Sequence, residues 1–97
     1  MKTTIIQFAK CPEPGKVKTR LLPVLSDLQA CELHKKLVQY TARVLKKIPD
    51  VILEMWVSAH SLYIEDVAAE NGMSVFIQQG HDLGERLKYA IADALSR

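Results

Sequence analysis

Cysteine is scarce in this sequence: Cys11 and Cys31 are the two it has. They are far apart, form no CxxC pair, and have no histidine at zinc-ligand spacing. A disulfide scaffold and a zinc-stapled module are therefore excluded, and a cytoplasmic chain with reduced thiols is the expectation. Long apolar runs are missing as well. After Lys2 the run is only Ile5-Ile6 before Gln7 interrupts it, too short for a secretory leader, and no segment approaches the length of a membrane span. No membrane partner is expected. Charge of one sign is not in excess either. The formal net charge is +2 with 25% charged residues, which excludes both a disordered polyelectrolyte and a general nucleic-acid binder. The familiar phosphate-loop fingerprints GxxxxGK[ST] and GxGxxG do not occur. Internal repeats and low-complexity stretches are absent too.

What the sequence does have is 48% hydrophobic residues in 97 positions, enough for one small domain over residues 1–97 and too few for two independent cores. Its punctuation divides that domain into alternating elements. Thr3–Ala9, β-branched at Thr3, Thr4, Ile5 and Ile6, predicts a strand that ends where Pro12, Pro14 and Gly15 begin. Residues 10–23 predict a loop closed by Pro23. Ser26 and Gln29 have the spacing of a capping box and predict a helix start. Its apolar stripe is read as Leu33, Leu37, Val44, Leu45 and Ile48, with Cys31, Val38 and Thr41 filling in. Lys46 and Lys47 suit the negative end of that helix, and Pro49-Asp50 stops it.

Residues 51–58 are almost continuously apolar, as in a strand covered on both faces, with Glu54 the polar exception. That glutamate marks either a partly exposed face or a partner for a positive charge. Met55 and Trp56 are expected in the core. Residues 62–71 predict a short helix stopped by Asn71-Gly72. Residues 74–78 predict a third strand, 79–81 a turn, and Asp82 with Glu85 a second capping-box spacing. The last helix then runs to the end, with Leu83, Leu87, Ala90, Ile91, Ala94 and Leu95 as its apolar stripe. Strand, helix, strand, helix, strand, helix is the order of an α/β fold, a parallel sheet layered between helices.

In open parallel sheets ligands bind at the carboxyl ends of the strands. The segment that follows the first strand is Lys10-Cys11-Pro12-Glu13-Pro14-Gly15-Lys16-Val17-Lys18-Thr19-Arg20, in which four cations accompany one acid. Its chemistry suits phosphate. Glycine permits close backbone approach, lysines are point charges, and the arginine fork can take two phosphate oxygens. Two prolines stiffen the loop and lower the ordering cost of binding. Composition alone equally describes a solvated surface loop.

The string Phe8-Ala9-Lys10-Cys11-Pro12-Glu13-Pro14-Gly15-Lys16-Val17-Lys18-Thr19-Arg20-Leu21 resembles the opening signature FAKxPxPGxVKTRL of the bacterial DUF2064 family. Gln79-Gly80-His81-Asp82-Leu83-Gly84-Glu85-Arg86-Leu87 resembles that family's QxGxDLGERM-like segment, with Leu87 where methionine is common. The resemblance runs the length of this chain and covers about the first half of a family domain.

It implies a three-layer α/β/α nucleotide-diphospho-sugar transferase fold of the GT-A, Rossmann-like type, and a glycosyl or related nucleotidyl transfer. By the same resemblance, Lys10, Gly15, Lys18, Thr19 and Arg20 bind the nucleotide diphosphate; Glu85 and Arg86, which open a helix beside the third strand, are candidates to lie near substrate. The partner is then a nucleotide sugar or nucleotide diphosphate. Family members continue into a G-x-D-x-P-like strand whose aspartate is expected to help hold Mg²⁺ or Mn²⁺. These 97 residues contain no such segment, so no catalytic residue is assigned. The alternatives are a non-catalytic nucleotide- or phosphate-binding module and a fragment that associates with itself. Family topology places the strand missing here beside the first one, so Thr3–Ala9 is expected as an open sheet edge, which implies a homo-oligomer through that edge.

Among the remaining candidates, Glu85 also fits a capping role, with Asp82 as the cap itself. His81 is a lone turn histidine without a visible partner. Cys11 reads as a bystander in a basic loop rather than a nucleophile.

Overall fold

A computed structural model of the chain describes residues 3–17 and 24–97. Its elements are β1 (Thr3–Ala9), α1 (Asp27–Lys46), β2 (Val51–Val57), α2 (Leu62–Glu70), β3 (Ser74–Ile77) and α3 (Leu83–Leu95), in that order. The strands form one parallel sheet in the order β1-β2-β3, with Ile6 beside Glu54 and Trp56 beside Phe76. All six predicted elements are present, with ends within a residue or two of those expected.

The boundaries follow from local chemistry. The Ser26 side chain accepts from the Gln29 amide while the Gln29 side chain accepts from the Ser26 amide, a complete capping box that opens α1. Ser61 caps α2 and Asp82 caps α3 in the one-sided way, each accepting from the amide three residues on. Asn71 closes α2 by donating to the Val67 carbonyl at 2.8 Å, and Gly72 follows with φ +68°, a turn that glycine makes without strain.

Strand side chains alternate between the faces of the sheet. On one face Ala9, Leu53, Met55 and Val57 form a cluster with Val38 and Ala42 of α1 and Ile64, Val67 and Ala68 of α2. Those two helices therefore share that face. The opposite face receives α3, where Tyr89 meets the Trp56 ring edge-on at 6.3 Å and Trp56 stacks on Phe76 at 4.8 Å. Met55 and Trp56 are buried, as expected. Glu54 is buried as well and is a charge partner. Arg97 grips its carboxylate with two nitrogens at 2.7 and 3.1 Å, and Trp56 Nε1 donates to it at 3.0 Å. Burial alone would raise the Glu54 carboxyl. The hydrogen bonds from Arg97 and Trp56 outweigh it and hold the group below its usual range.

Two expectations need correction. Of the expected stripe of α1, Cys31 and Val38 are buried and Leu33 and Leu45 half-buried, but Leu37, Thr41, Val44 and Ile48 are exposed, and Ala30, His34 and Ala42 complete the buried row. Ala30 and Ala42 on the contact side let the helix lie close to its neighbours, while Leu37, Val44 and Ile48 are turned outward. In α3 only Ala90 is buried; Leu83, Leu87, Ile91 and Leu95 are exposed. This helix covers β2 and β3 but leaves a groove of about 590 Å³ beside β1, lined among others by Thr4, Ile6, Ile52, Ile91 and Leu95. Among the described residues, no helix is long and apolar enough to cross a membrane.

Candidate functional site

The carboxyl ends of the three strands are bound together by side chains as well as by the ladder. Ala9 O, at the end of β1, accepts from the Ser58 amide at 3.1 Å and from Gln78 Nε2 at 3.3 Å. Gln78 Nε2 also donates to Trp56 O at 2.7 Å, and the Gln78 amide to Val57 O at 2.9 Å. One side chain just beyond β3 thus ties all three strand ends together. Its remaining atom, Oε1, accepts from Arg86 Nη1 at 3.3 Å, and Arg86 Nε donates to Gly80 O at 3.2 Å.

Above these ends lies an open cavity of about 300 Å³, lined by Phe8, Ala9, Lys10, Ser58, Gln78, Leu83 and Arg86. Its chemistry is one-sided, with two cations and no carboxylate in the lining. Neither Lys10 nor Arg86 makes an ion pair among the described residues. The first turn of α3 borders the cavity at Leu83, and the Asp82 carboxylate that caps it lies outside the lining. Such a site attracts an anion with several oxygens.

Gly80 lets the Arg86 arm fit. It has φ +121°, and a β-carbon there would lie 2.8 Å from Glu85 Cβ and 3.0 Å from the Arg86 amide. The turn can pass this close to the first turn of α3 only without a side chain.

Of the residues named from sequence, the structure brings Lys10 and Arg86 into one cavity. Glu85 is exposed outside its lining, and the Glu85 amide is the donor that Asp82 caps at 2.8 Å. Gly15 has φ +81° in a turn closed by the Lys16 amide bonding to Glu13 O at 3.1 Å. It approaches Asp27 rather than the cavity. Lys16 is paired with Glu13 at 3.1 Å on the surface. Lys18, Thr19 and Arg20 lie outside the described residues. His81 is exposed. Cys11 is a free thiol, its Sγ 3.7 Å from His60 O.

Two contributors were not foreseen. Gln78 reads in the sequence as the last residue of a strand. His34 reads as a polar position in a helix; its signal was the i,i+4 row Ala30, His34, Val38, Ala42, which places it among buried neighbours.

The chain is similar in structure to a protein from Desulfovibrio desulfuricans G20, assigned as a nucleotide-diphospho-sugar transferase. The TM-score is 0.81 and the sequence identity 34%, over 97% of this chain and 42% of that one. The fold is a partial nucleotide-diphospho-sugar transferase fold. The chain spans less than half the length of that solved structure. No protein-family model matches the chain, and no curated protein does.

Proposed function

We propose that the cavity at the carboxyl ends of β1, β2 and β3 binds the diphosphate of a nucleotide sugar, and that the chain is the nucleotide-binding part of a DUF2064-type glycosyl or nucleotidyl transferase. The observation that carries this reading is the pair Lys10 and Arg86, two cations not neutralised by any described carboxylate, in one acid-free cavity. The similarity to the Desulfovibrio protein supports the transferase class.

In glycosyl transfer the bond between the sugar's anomeric carbon and a diphosphate oxygen breaks. An acceptor oxygen bonds to that carbon and releases its proton, and the nucleotide diphosphate leaves with added negative charge. Lys10 and Arg86 would stabilise that charge where it develops. Arg20, Lys18 and Thr19 are proposed to complete the phosphate shell. Mg²⁺ or Mn²⁺ belongs to the reading as an ion that would supply positive charge to the departing diphosphate. The cavity lining offers it no carboxylate, and no group of three or more His, Cys, Asp or Glu among the described residues could hold a metal. No step is therefore routed through it.

The test is thermal stability with UDP, GDP and CDP and their sugars, with and without Mn²⁺, for the wild type and for Lys10→Ala, Arg86→Ala and Arg20→Ala. A ligand at one hundred times its dissociation constant adds about 2.7 kcal/mol if it binds only the folded state. A shift for one base that Lys10→Ala and Arg86→Ala diminish supports the reading. The absence of any shift for the wild type overturns it.

A homo-oligomer through the β1 edge accompanies the proposal, because among the described residues β1 has a sheet neighbour on one side only. Sedimentation of a single monomeric species at high concentration would exclude it.

A further inference from the structure

The Lys10–Cys11 peptide unit is held at both ends. Its carbonyl oxygen lies 2.7 Å from His34 Nε2, and its N–H donates to Ser58 Oγ, also at 2.7 Å. The two partners come from different elements, His34 from the middle of α1 and Ser58 from the residue after β2. A carbonyl oxygen can only accept, so Nε2 of His34 carries the proton in this bond. The peptide unit is planar, and fixing its oxygen and its N–H together fixes its rotation.

This unit lies beyond Ala9, the last residue paired in the β1–β2 ladder. The sheet alone therefore does not set its direction. His34 is 6% exposed in the row Ala30, Val38, Ala42, so its ring is held in place by packing. Ser58 is itself fixed, through its amide bond to Ala9 O at 3.1 Å. A rigid support thus stands under the residue that carries the cavity's lysine.

We infer that His34 and Ser58 are positioning residues that preset the Lys10–Cys11 peptide, so that the Lys10 stem enters the cavity without further ordering when a diphosphate binds. The inference rests on the diphosphate reading above. A loop ordered in advance binds more tightly because less conformational freedom is lost on association. His34 itself touches none of the cavity, so its effect passes through Lys10.

The experiment measures pyrophosphate binding by calorimetry, alongside amide exchange at Cys11. The variants are His34→Leu, His34→Gln, Ser58→Ala and Ser58→Thr, at a temperature where circular dichroism shows each folded. His34→Leu and Ser58→Ala each weaken pyrophosphate about tenfold, a loss of about 1.4 kcal/mol. The double variant loses less than the sum, because both bonds hold one peptide unit. His34→Gln and Ser58→Thr, which keep a donor and a hydroxyl, recover most of the affinity. Exchange at the Cys11 amide accelerates in Ser58→Ala and not in Ser58→Thr. A purely structural role would lower thermal stability and leave pyrophosphate affinity unchanged, and that result overturns the inference. Should His34→Leu fail to fold, Ser58→Ala decides through both readouts: Ser58 lines the cavity, so its lost affinity supports the inference only where Cys11 amide exchange accelerates with it, and lost affinity with unchanged exchange overturns it. Wild type that binds neither pyrophosphate nor any nucleoside diphosphate overturns the diphosphate reading and this inference with it. Wild-type binding that Ser58→Ala leaves intact overturns the inference alone.

Discussion

Arg86 Nη1 donates to Gln78 Oε1 across 3.3 Å, while the amide nitrogen of the same glutamine is bonded to the carbonyls of Ala9 and Trp56. The cavity's arginine is therefore oriented by the clip that closes the sheet. Fold and site share one side chain, and a substitution there is felt in both.

Gln78→Glu tests that sharing. Glutamate has no amide donor, so Ala9 O and Trp56 O lose it and face a carboxylate instead. The same carboxylate sits beside Arg86 and neutralises it. Ala9 O keeps the Ser58 amide, but both carbonyls lose the Gln78 donor and meet carboxylate oxygens, so stability falls by about 1–3 kcal/mol. Nucleoside diphosphate affinity falls at least about tenfold as the cavity loses a net positive charge. Urea unfolding and calorimetry measure the two. Binding equal to wild type would mean that Arg86 does not face the ligand.

Gly80→Ala reaches Arg86 by another route. The new β-carbon meets Glu85 Cβ at 2.8 Å and the Arg86 amide at 3.0 Å, in a backbone with φ +121°. Strain of this kind costs about 1–3 kcal/mol. Relief requires the first turn of α3 to move, which carries the guanidinium away from Gln78. Reduced stability together with weakened diphosphate binding is expected. Gly72→Ala is the control: φ there is +68°, yet nothing lies within 4 Å of the added carbon, so it is strained without disturbing the cavity.

The element order, the helix starts and the core role of Trp56 were legible because short-range chemistry decides them. Ser26 with Gln29, Asp82, Asn71-Gly72 and the apolar run of β2 act within a few residues. Which side of a helix is buried is a long-range decision. In α1 two apolar rows compete, and Leu37, Val44 and Ile48 outweigh Ala30 and Ala42 in any hydrophobic count. The sheet nevertheless takes the small residues, because they permit close approach. The same limit hid His34, whose role depends on a carbonyl 24 residues earlier, and Gln78, which reaches back 69 residues to Ala9. Lys10 and Arg86 were legible as separate candidates from two motifs; only the fold places them in one cavity.

The pair Glu54 and Arg97 makes stability depend on acid. The Glu54 carboxyl is held below its usual range in the folded state, so the unfolded chain binds the proton more readily. Stability from this group is complete above the unfolded carboxylate pKa, about 4.3. It is lost as pH falls from there through the depressed folded value. Glu54→Gln keeps an acceptor for Trp56 Nε1 but removes the charge. Its unfolding free energy should vary less with pH on the acid side, and its deficit against wild type should shrink as pH falls. A deficit independent of pH in urea titrations would show that the carboxylate's charge contributes nothing.

Gln7 offers the opposite outcome, a substitution that stabilises. Its side chain is 8% exposed beneath α1. Nε2 donates to Val38 O at 3.2 Å, and Oε1 is buried without a hydrogen-bond partner among the described residues. Val38 lies within α1, where its carbonyl also accepts the helical bond from Ala42, so losing Gln7 does not leave that oxygen unpaired. Oε1, in contrast, carries an uncompensated desolvation cost of about 1–3 kcal/mol. Methionine has nearly the same length and volume with no oxygen to bury, and its flexible thioether adapts to the available space. Gln7→Met should therefore raise stability by about 1 kcal/mol, equivalent to roughly 4–8 °C in Tm for a domain of this size. Differential scanning calorimetry at neutral pH measures it. A lower Tm would mean that the Val38 bond outweighs the orphaned oxygen, and that the polar residue under α1 contributes net stability to the edge strand.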